Sequence, residues 1–441
     1  MLSRQRFRMN LSEDQILALA PDEASKKAGL GLANQSKWVT KGANDLAIWG
    51  ECQGSGSKPY QAQIDLSNIA FKCSCPSRKF PCKHGLALFL LYARQTASFT
   101  TDKAPAWVAE WLEKRAEKQE KKAAKEEAPV DEAAQAKRQL ARHEKVMHGI
   151  AELRLWIKDI VRNGILSMPE KGFPWFENVA KRMVDAQAPG LANMVRQLGE
   201  TNFFTEDWQQ QFLEQLLKIY LVAEGYSKHH TGEAPFLHDL RSWIGFTSNQ
   251  DELKEQTGIT DTWLVLAKQS NEVDNVTTEK YWLYGMEQKK YALILQFTVR
   301  RQGSQLSLTP GLFIQAELVF FPSVNPMRAL IKRQLNTQYS SIPEGFSGWA
   351  EVTETHTAIY SRFPVQGERP YIVEQLTAVP YNNLWWLRDQ SFRLVPLRNA
   401  EKTIWHILAI SGGQPLNMVL IGSPSQVEVA GVWQNNQYLL V

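Results

Sequence analysis

The chain has 441 residues, 44% hydrophobic and 22% charged, which excludes disorder over most of its length and leaves room for two to four domains. No stretch approaches the roughly 18 uninterrupted apolar residues of a membrane-spanning helix, so a soluble protein with no membrane partner is expected. The net charge of +4 is uneven: residues 1–105 hold 14 Lys and Arg against 8 Asp and Glu, or +6, which leaves −2 for the remainder.

Arg4, Arg6 and Arg8 imitate the start of a signal peptide, but Glu13 and Asp14 follow and no apolar stretch does, so a cytoplasmic protein is expected. Ser12 and Gln15 in capping-box spacing, followed by Ile16, Leu17 and Leu19, predict a short helix, and residues 21–29 a second. Residues 46–53 and 60–66 have strand character on either side of the turn Gly54 to Ser57. Residues 83–95 form a helix that is apolar nearly all round, the pattern of burial on more than one side.

Residues 110–145 carry 10 Lys and Arg and 9 Asp and Glu among many alanines, a charged linker or solvated helix. Beyond it, Val146, Ile150, Leu153, Ile157 and Ile160 keep helical spacing, as do Trp208, Phe212, Leu216, Ile219 and Ala223, so residues 146–257 read as a helical domain. From Trp263 strand-like runs dominate, including 281–284, 291–300 and 312–321, and 258–383 reads as a mixed β-rich domain. The tail, 384–441, alternates short apolar runs with turn residues such as Asn435 and Asn436; it predicts a small antiparallel β domain of hairpins, or a small barrel. The fold class is multidomain α+β, with an N-terminal domain over 1–109 whose hairpin-plus-helix core is about 60–95.

Three of only four cysteines crowd together. Cys73, Cys75, Cys82 and His84 form C-x-C-x6-C-x-H, two ligand pairs joined by a six-residue loop, which supplies the closed thiolate and imidazole shell that zinc takes. Within each pair, one intervening residue sends both side chains to the same side of an extended segment. Cys82 opens the predicted helix, whose dipole favours a thiolate there. Scattered buried thiols are the alternative, against which stands a complete ligand set in twelve residues. Four protein ligands leave no position for water, so one structural Zn2+ is expected rather than a catalytic one. Cys52 falls outside the pattern and reads as a small buried strand residue.

These ligands match the SWIM zinc-finger signature. Together with Ala20-Pro21-Asp22, residues 49–60, residues 73–84 and Pro105-Ala106-Trp107-Val108, they make about residues 10–115 resemble the bacterial SWIM zinc finger family proteins. The resemblance implies a two-stranded hairpin followed by a helix, zinc binding, and DNA binding or protein interaction. It also implies protein partners in a system of AAA-type ATPases and von Willebrand A-domain proteins.

No acidic residue lies between Asp65 and Asp102, while Lys72, Arg78, Lys79 and Lys83 fall inside that window as candidate nucleic-acid contacts. The same cations would equally offset the net −1 of three thiolates and one Zn2+. A protein-interaction reading draws on the 15 tryptophans, with Trp385 and Trp386 as candidate anchors or core residues.

Catalytic signatures are missing. Gly54, Gly56 and Lys58 lack the phosphate-loop spacing, and Gly345 to Gly348 fail the nucleophile elbow because Trp349 follows. His229, His230 and His238 lack carboxylates at ligand spacing, and His143 and His148 are five apart. The expectation is a non-enzymatic, zinc-binding protein that presents a basic knuckle to DNA or a protein partner, or an assembly factor in which the finger is purely structural.

Overall fold

The computed structural model describes residues 13–17, 19–54, 58–66, 69–77, 79–100, 103–125, 132–229, 234–273, 276–299, 308–336 and 341–441. Two helices open the chain, α1 (Glu13–Leu17) and α2 (Glu23–Leu32). Asp22 caps the second by accepting the Ser25 amide at 2.7 Å. An antiparallel meander follows: β1 (Trp38–Ala43), β2 (Ala47–Cys52), β3 (Tyr60–Asp65) and β4 (Ala70–Cys73), in that order across the sheet. Then comes α3 (Lys83–Arg94), whose residues 84–91 are all buried.

Alternation along the strands sorts the side chains onto two faces. Ile48, Ile64 and Phe71 meet α3 together with Ile16, Leu17 and Leu19 of the N-terminal segment. Ala47 and Trp49 face the other way, onto Val108 of α4 (Ala106–Lys125). Arg115 of α4 also pairs with the nearly buried Asp65 at 3.1 Å. The segment 110–145, read as a charged linker or solvated helix, is helical where described, and its start belongs to the N-terminal domain, which reaches about Arg115 rather than 109.

Next, α5 (Glu132–Asn163), α6 (Phe173–Asp185), α7 (Pro189–Gly199), α8 (Trp208–His229) and α9 (Ala234–Ile244) pack as a bundle. All ten residues whose spacing predicted helices here are buried in one core. The short α10 (Gln250–Glu255) does not join it: Leu253 packs on Val319 and Phe321 of the following barrel, so the helical domain ends near 245 rather than at 257.

That barrel closes β5 (Ile259–Val273), β6 (Val276–Gly285), β7 (Tyr291–Val299), β9 (Arg328–Asn336) and β8 (Phe313–Phe320), in that order around the circumference. All pairings are antiparallel except β7 with β9. Counted from its first strand the order is 1-2-3-5-4, a Greek-key closure of the kind found in small nucleic-acid- and sugar-binding barrels. Tyr281, Leu283, Ala292 and Ile294 fill its interior. The alternate residues Trp282, Tyr284 and Leu293 point outward onto a second sheet, which is why the run from Tyr281 to Tyr284 is unbroken in apolar character.

The second sheet contains β10 (Arg369–Tyr381), β11 (Leu384–Arg388), β12 (Leu394–Pro396), β13 (Leu416–Ser423), β14 (Gln426–Gln434) and β15 (Gln437–Leu440), ordered β12-β11-β10-β13-β14-β15. One face carries Ile372, Val419, Ile421 and Trp433 against the barrel. The other packs α11 (Trp349–Arg362) and α12 (Ala400–Ser411). A boundary at 383/384 would cut the β10–β11 hairpin, whose strands are hydrogen-bonded from Thr377 to Arg388, so the last unit begins before β10. The barrel is made by residues 259–336, not by the tail, and the tail contains a helix whose Ile404 and Ile407 are buried. The Asn435 and Asn436 turn does close a hairpin, both residues having positive φ (48° and 64°).

Candidate metal centre

Cys73 is the last residue of β4, paired with Ala62. Cys75 follows it into the loop, Cys82 occupies the N-cap of α3, and His84 is the second residue of that helix. Helix and strand approach closely here because Gly85 has no side chain: a Cβ at that position would lie 2.9 Å from Cδ1 of Phe71. The sheet edge and helix start thus converge, and the ligand atoms of Cys73, Cys75, Cys82 and His84 all lie within 4.8 Å of one another.

A tetrahedral shell with Zn–S near 2.3 Å and Zn–N near 2.0 Å has edges of about 3.5 to 3.8 Å. Cys73 Sγ and His84 Nδ1 stand 3.8 Å apart, at the upper end of that range. Cys82 and His84 are only 2% and 4% exposed. The Tyr60 ring packs 4.9 Å from the imidazole and shields it.

The donors are electrostatically coupled. Cys82 is held well below the ordinary thiol value, chiefly by the hydrogen bond from Cys73, with His84, the Gly85 amide and Cys75 adding to it against burial. Cys73 is pushed up by that same bond to Cys82, by burial and by the charge of Cys82, while Cys75 is raised mainly by burial. Such a cluster favours one thiolate; a divalent cation supplies the charge that stabilises three. With four protein ligands the shell is closed, so the centre holds one zinc structurally.

Around it, the predicted cations separate. Lys79 forms an ion pair with Asp22 at 2.5 Å, which ties the ligand loop to the N-cap of α2. Hydrogen bonding to Lys79 and to Ser25 holds the Asp22 carboxyl at about 2. Lys83 is exposed at the start of α3. Lys72 is also exposed, but it pairs across with Gln63 and Trp49 on the sheet face that α4 covers, opposite the face of Phe71 and Cys73. Arg78 lies outside the described residues. The structure adds a cation that the sequence did not single out: exposed Lys37 acts with Lys83 on buried Cys52, lowering a thiol that burial pushes up. Forty-six positions separate the two lysines, so no local pattern announces their shared action on Cys52.

Other candidates resolve into structural roles. Among the described residues, the zinc ligands are the only group of three or more metal-type side chains gathered closely enough to share an ion. His143 bonds the Tyr226 hydroxyl at 2.8 Å, His148 faces Glu152, His238 meets Ser248 at 2.8 Å, and His230 lies outside the described residues. Trp349 is buried, its amide donating to Asp389. Trp385 packs against the last sheet's core, and Trp386 donates its indole N–H to the Tyr381 carbonyl. No described helix is long and apolar enough to cross a membrane.

Residues 63–93 match the SWIM zinc finger family, and residues 141–244 match the SWIM-associated four-helix bundle domain. No curated protein and no solved structure matches the chain. Ligand spacing, ligand geometry and these two matches agree that the chain carries a SWIM zinc finger, with Cys73, Cys75, Cys82 and His84 as its C-x-C-x6-C-x-H set, followed by the helical bundle associated with that finger.

Proposed function

We propose that this is a non-enzymatic, cytoplasmic binding protein whose zinc-ordered N-terminal domain engages DNA without marked sequence preference. The observation that carries this reading is the pairing of a closed metal shell with a cationic surface: Lys83 lies between the ligands Cys82 and His84 in a segment free of acidic residues from 66 to 101, and Lys37, from a different element, acts with it on the same buried Cys52. Zinc fixes the start of α3, and thereby the position of Lys83, without presenting an open coordination site. Phosphate contacts of this kind position a protein on the duplex without reading bases.

The test is salt-dependent binding of duplex DNA by the full chain. Two phosphate contacts give a log-log slope of about −1.8, at roughly −0.9 each. Lys37→Ala with Lys83→Ala, in protein that still carries one zinc, flattens that slope. An unchanged slope in the double variant would assign the two lysines to offsetting the site's negative charge.

A second reading, an assembly factor within an AAA ATPase and von Willebrand A-domain system, draws on different observations. Lys79 is already neutralised by Asp22. The last domain exposes Tyr381 (52%), Phe392 (75%) and Trp405 (71%), large aromatics of the type that anchor protein interfaces. In that case the full chain co-purifies with such an ATPase after nuclease treatment and in moderate salt, and the Lys37 and Lys83 double variant does so equally well.

A further inference from the structure

Arg369 opens β10 with its side chain on the same face of the strand as Tyr371, two residues on. Its Nη1 is shielded from solvent and meets no acceptor among the described residues. The adjacent acid is committed elsewhere: Glu368 pairs with Arg398 at 2.6 Å. A guanidinium nitrogen held this way is costly, because a buried donor lacking a partner loses its hydration without replacement. Burial accordingly lowers Arg369 from its ordinary value.

The groups around it are donors. His356 and Tyr360, one turn apart on α11, stack with ring centroids 4.4 Å apart and 28° between planes. His356 Nδ1 lies 2.7 Å from the Tyr371 hydroxyl. Burial and the Arg369 charge both lower His356, keeping the ring neutral. In the tautomer that accepts the Tyr371 O–H at Nδ1, the ring proton is on Nε2, which is then a donor. Arg369, His356 and Tyr360 are each partly exposed, so the cluster is open to solvent. Glu214 of α8 acts on Tyr360 from the rim, but it forms no ion pair with Arg369 and accepts from Gln210 instead.

We propose that Arg369, His356 and Tyr360 form a binding site for a phosphate group at the junction of α11 and β10. A guanidinium, an imidazole N–H and a phenol O–H from two elements offer donors to several oxygens at once, which suits a tetrahedral oxyanion better than a planar carboxylate. This site is independent of the zinc finger and of DNA binding.

Calorimetric titration of the full chain with inorganic phosphate and with phenyl phosphate, against acetate at matched ionic strength, tests it. Saturable binding of a phosphate probe, weakened at least tenfold in Arg369→Gln and severalfold in Tyr360→Phe, supports the proposal. Tighter binding of phenyl phosphate assigns the site to a phosphomonoester that stacks on the aromatic pair; equal or weaker binding assigns it to free phosphate. Should Arg369→Gln not fold, Tyr360→Phe and His356→Asn at the rim carry the test. No binding of either phosphate, equal binding of acetate, or affinities untouched by the substitutions would overturn the proposal and leave Arg369 hydrated by water alone.

Discussion

Removing the zinc should open a limited region, and the limits follow from where the buried contacts lie. Cys73 ends a four-residue edge strand, while Cys82 caps α3, so the metal holds together β4, the loop and the first turn of the helix. The remainder of the domain rests on an apolar core that includes Ile16, Leu19, Ile48, Ile64 and residues 86–91. With free zinc at a hundred times its dissociation constant, linkage stabilises the bound state by about 2.7 kcal/mol. Amides of residues 70–85 that exchange only after metal release should therefore exchange about a hundredfold faster once a chelator is added, and also in Cys75→Ser. Amides of residues 47–52 and 86–94 should change far less. The measurement is hydrogen exchange on the full chain, with metal content determined in parallel and one zinc per chain expected. Uniform loss of protection across residues 38–94 would show that zinc organises the whole domain, and unchanged exchange at 70–85 would show that these residues do not hold the metal; either result refutes the reasoning.

Asp22→Ala should destabilise the N-terminal domain by about 1 kcal/mol or more, since it removes both the cap on α2 and the Lys79 ion pair, whereas Asp22→Asn keeps the cap; chemical denaturation of the two variants compares them. Because the folded-state carboxyl of Asp22 lies at about 2, below its ordinary 3.8, its ionic contribution is present above about pH 4 and disappears as pH falls to 2. The difference in melting temperature between the parent and Asp22→Asn should close over that window. Gly85→Ala places a methyl 2.9 Å from Phe71 and should cost about 1–3 kcal/mol while loosening zinc, read by thermal melting and metal competition. Trp49→Ala, which empties a site 4% exposed between the sheet and α4, should cost about 3–5 kcal/mol and increase proteolysis within residues 106–115.

The zinc ligands were legible in the sequence because all four lie within twelve residues, and their chemistry depends on residue type and local spacing. Helical periods carried the bundle in the same way: a stripe such as Val146 to Ile160 has one face to bury wherever its partners lie. The Asn435 and Asn436 turn likewise follows from two residues that tolerate positive φ. Short apolar runs were less decisive. Residues 400–411 formed a helix where strands were expected, because a run of that length fits either period until a neighbouring sheet selects one face.

What the tertiary structure alone decided are the meetings of distant segments. The barrel closes through a parallel pairing of β7 with β9, and its outer face takes the second sheet as a partner. Lys79 turns to Asp22, Lys83 shares its action on buried Cys52 with the distant Lys37, and Lys72 goes to the opposite face of its sheet, so a basic window continuous in sequence becomes discontinuous in space. Arg369 acquires His356 and Tyr360 only when α11 folds back over β10. Composition and period act along the chain, whereas electrostatics and packing act across it, and the segments that meet are chosen by the burial of faces that no single segment can cover alone.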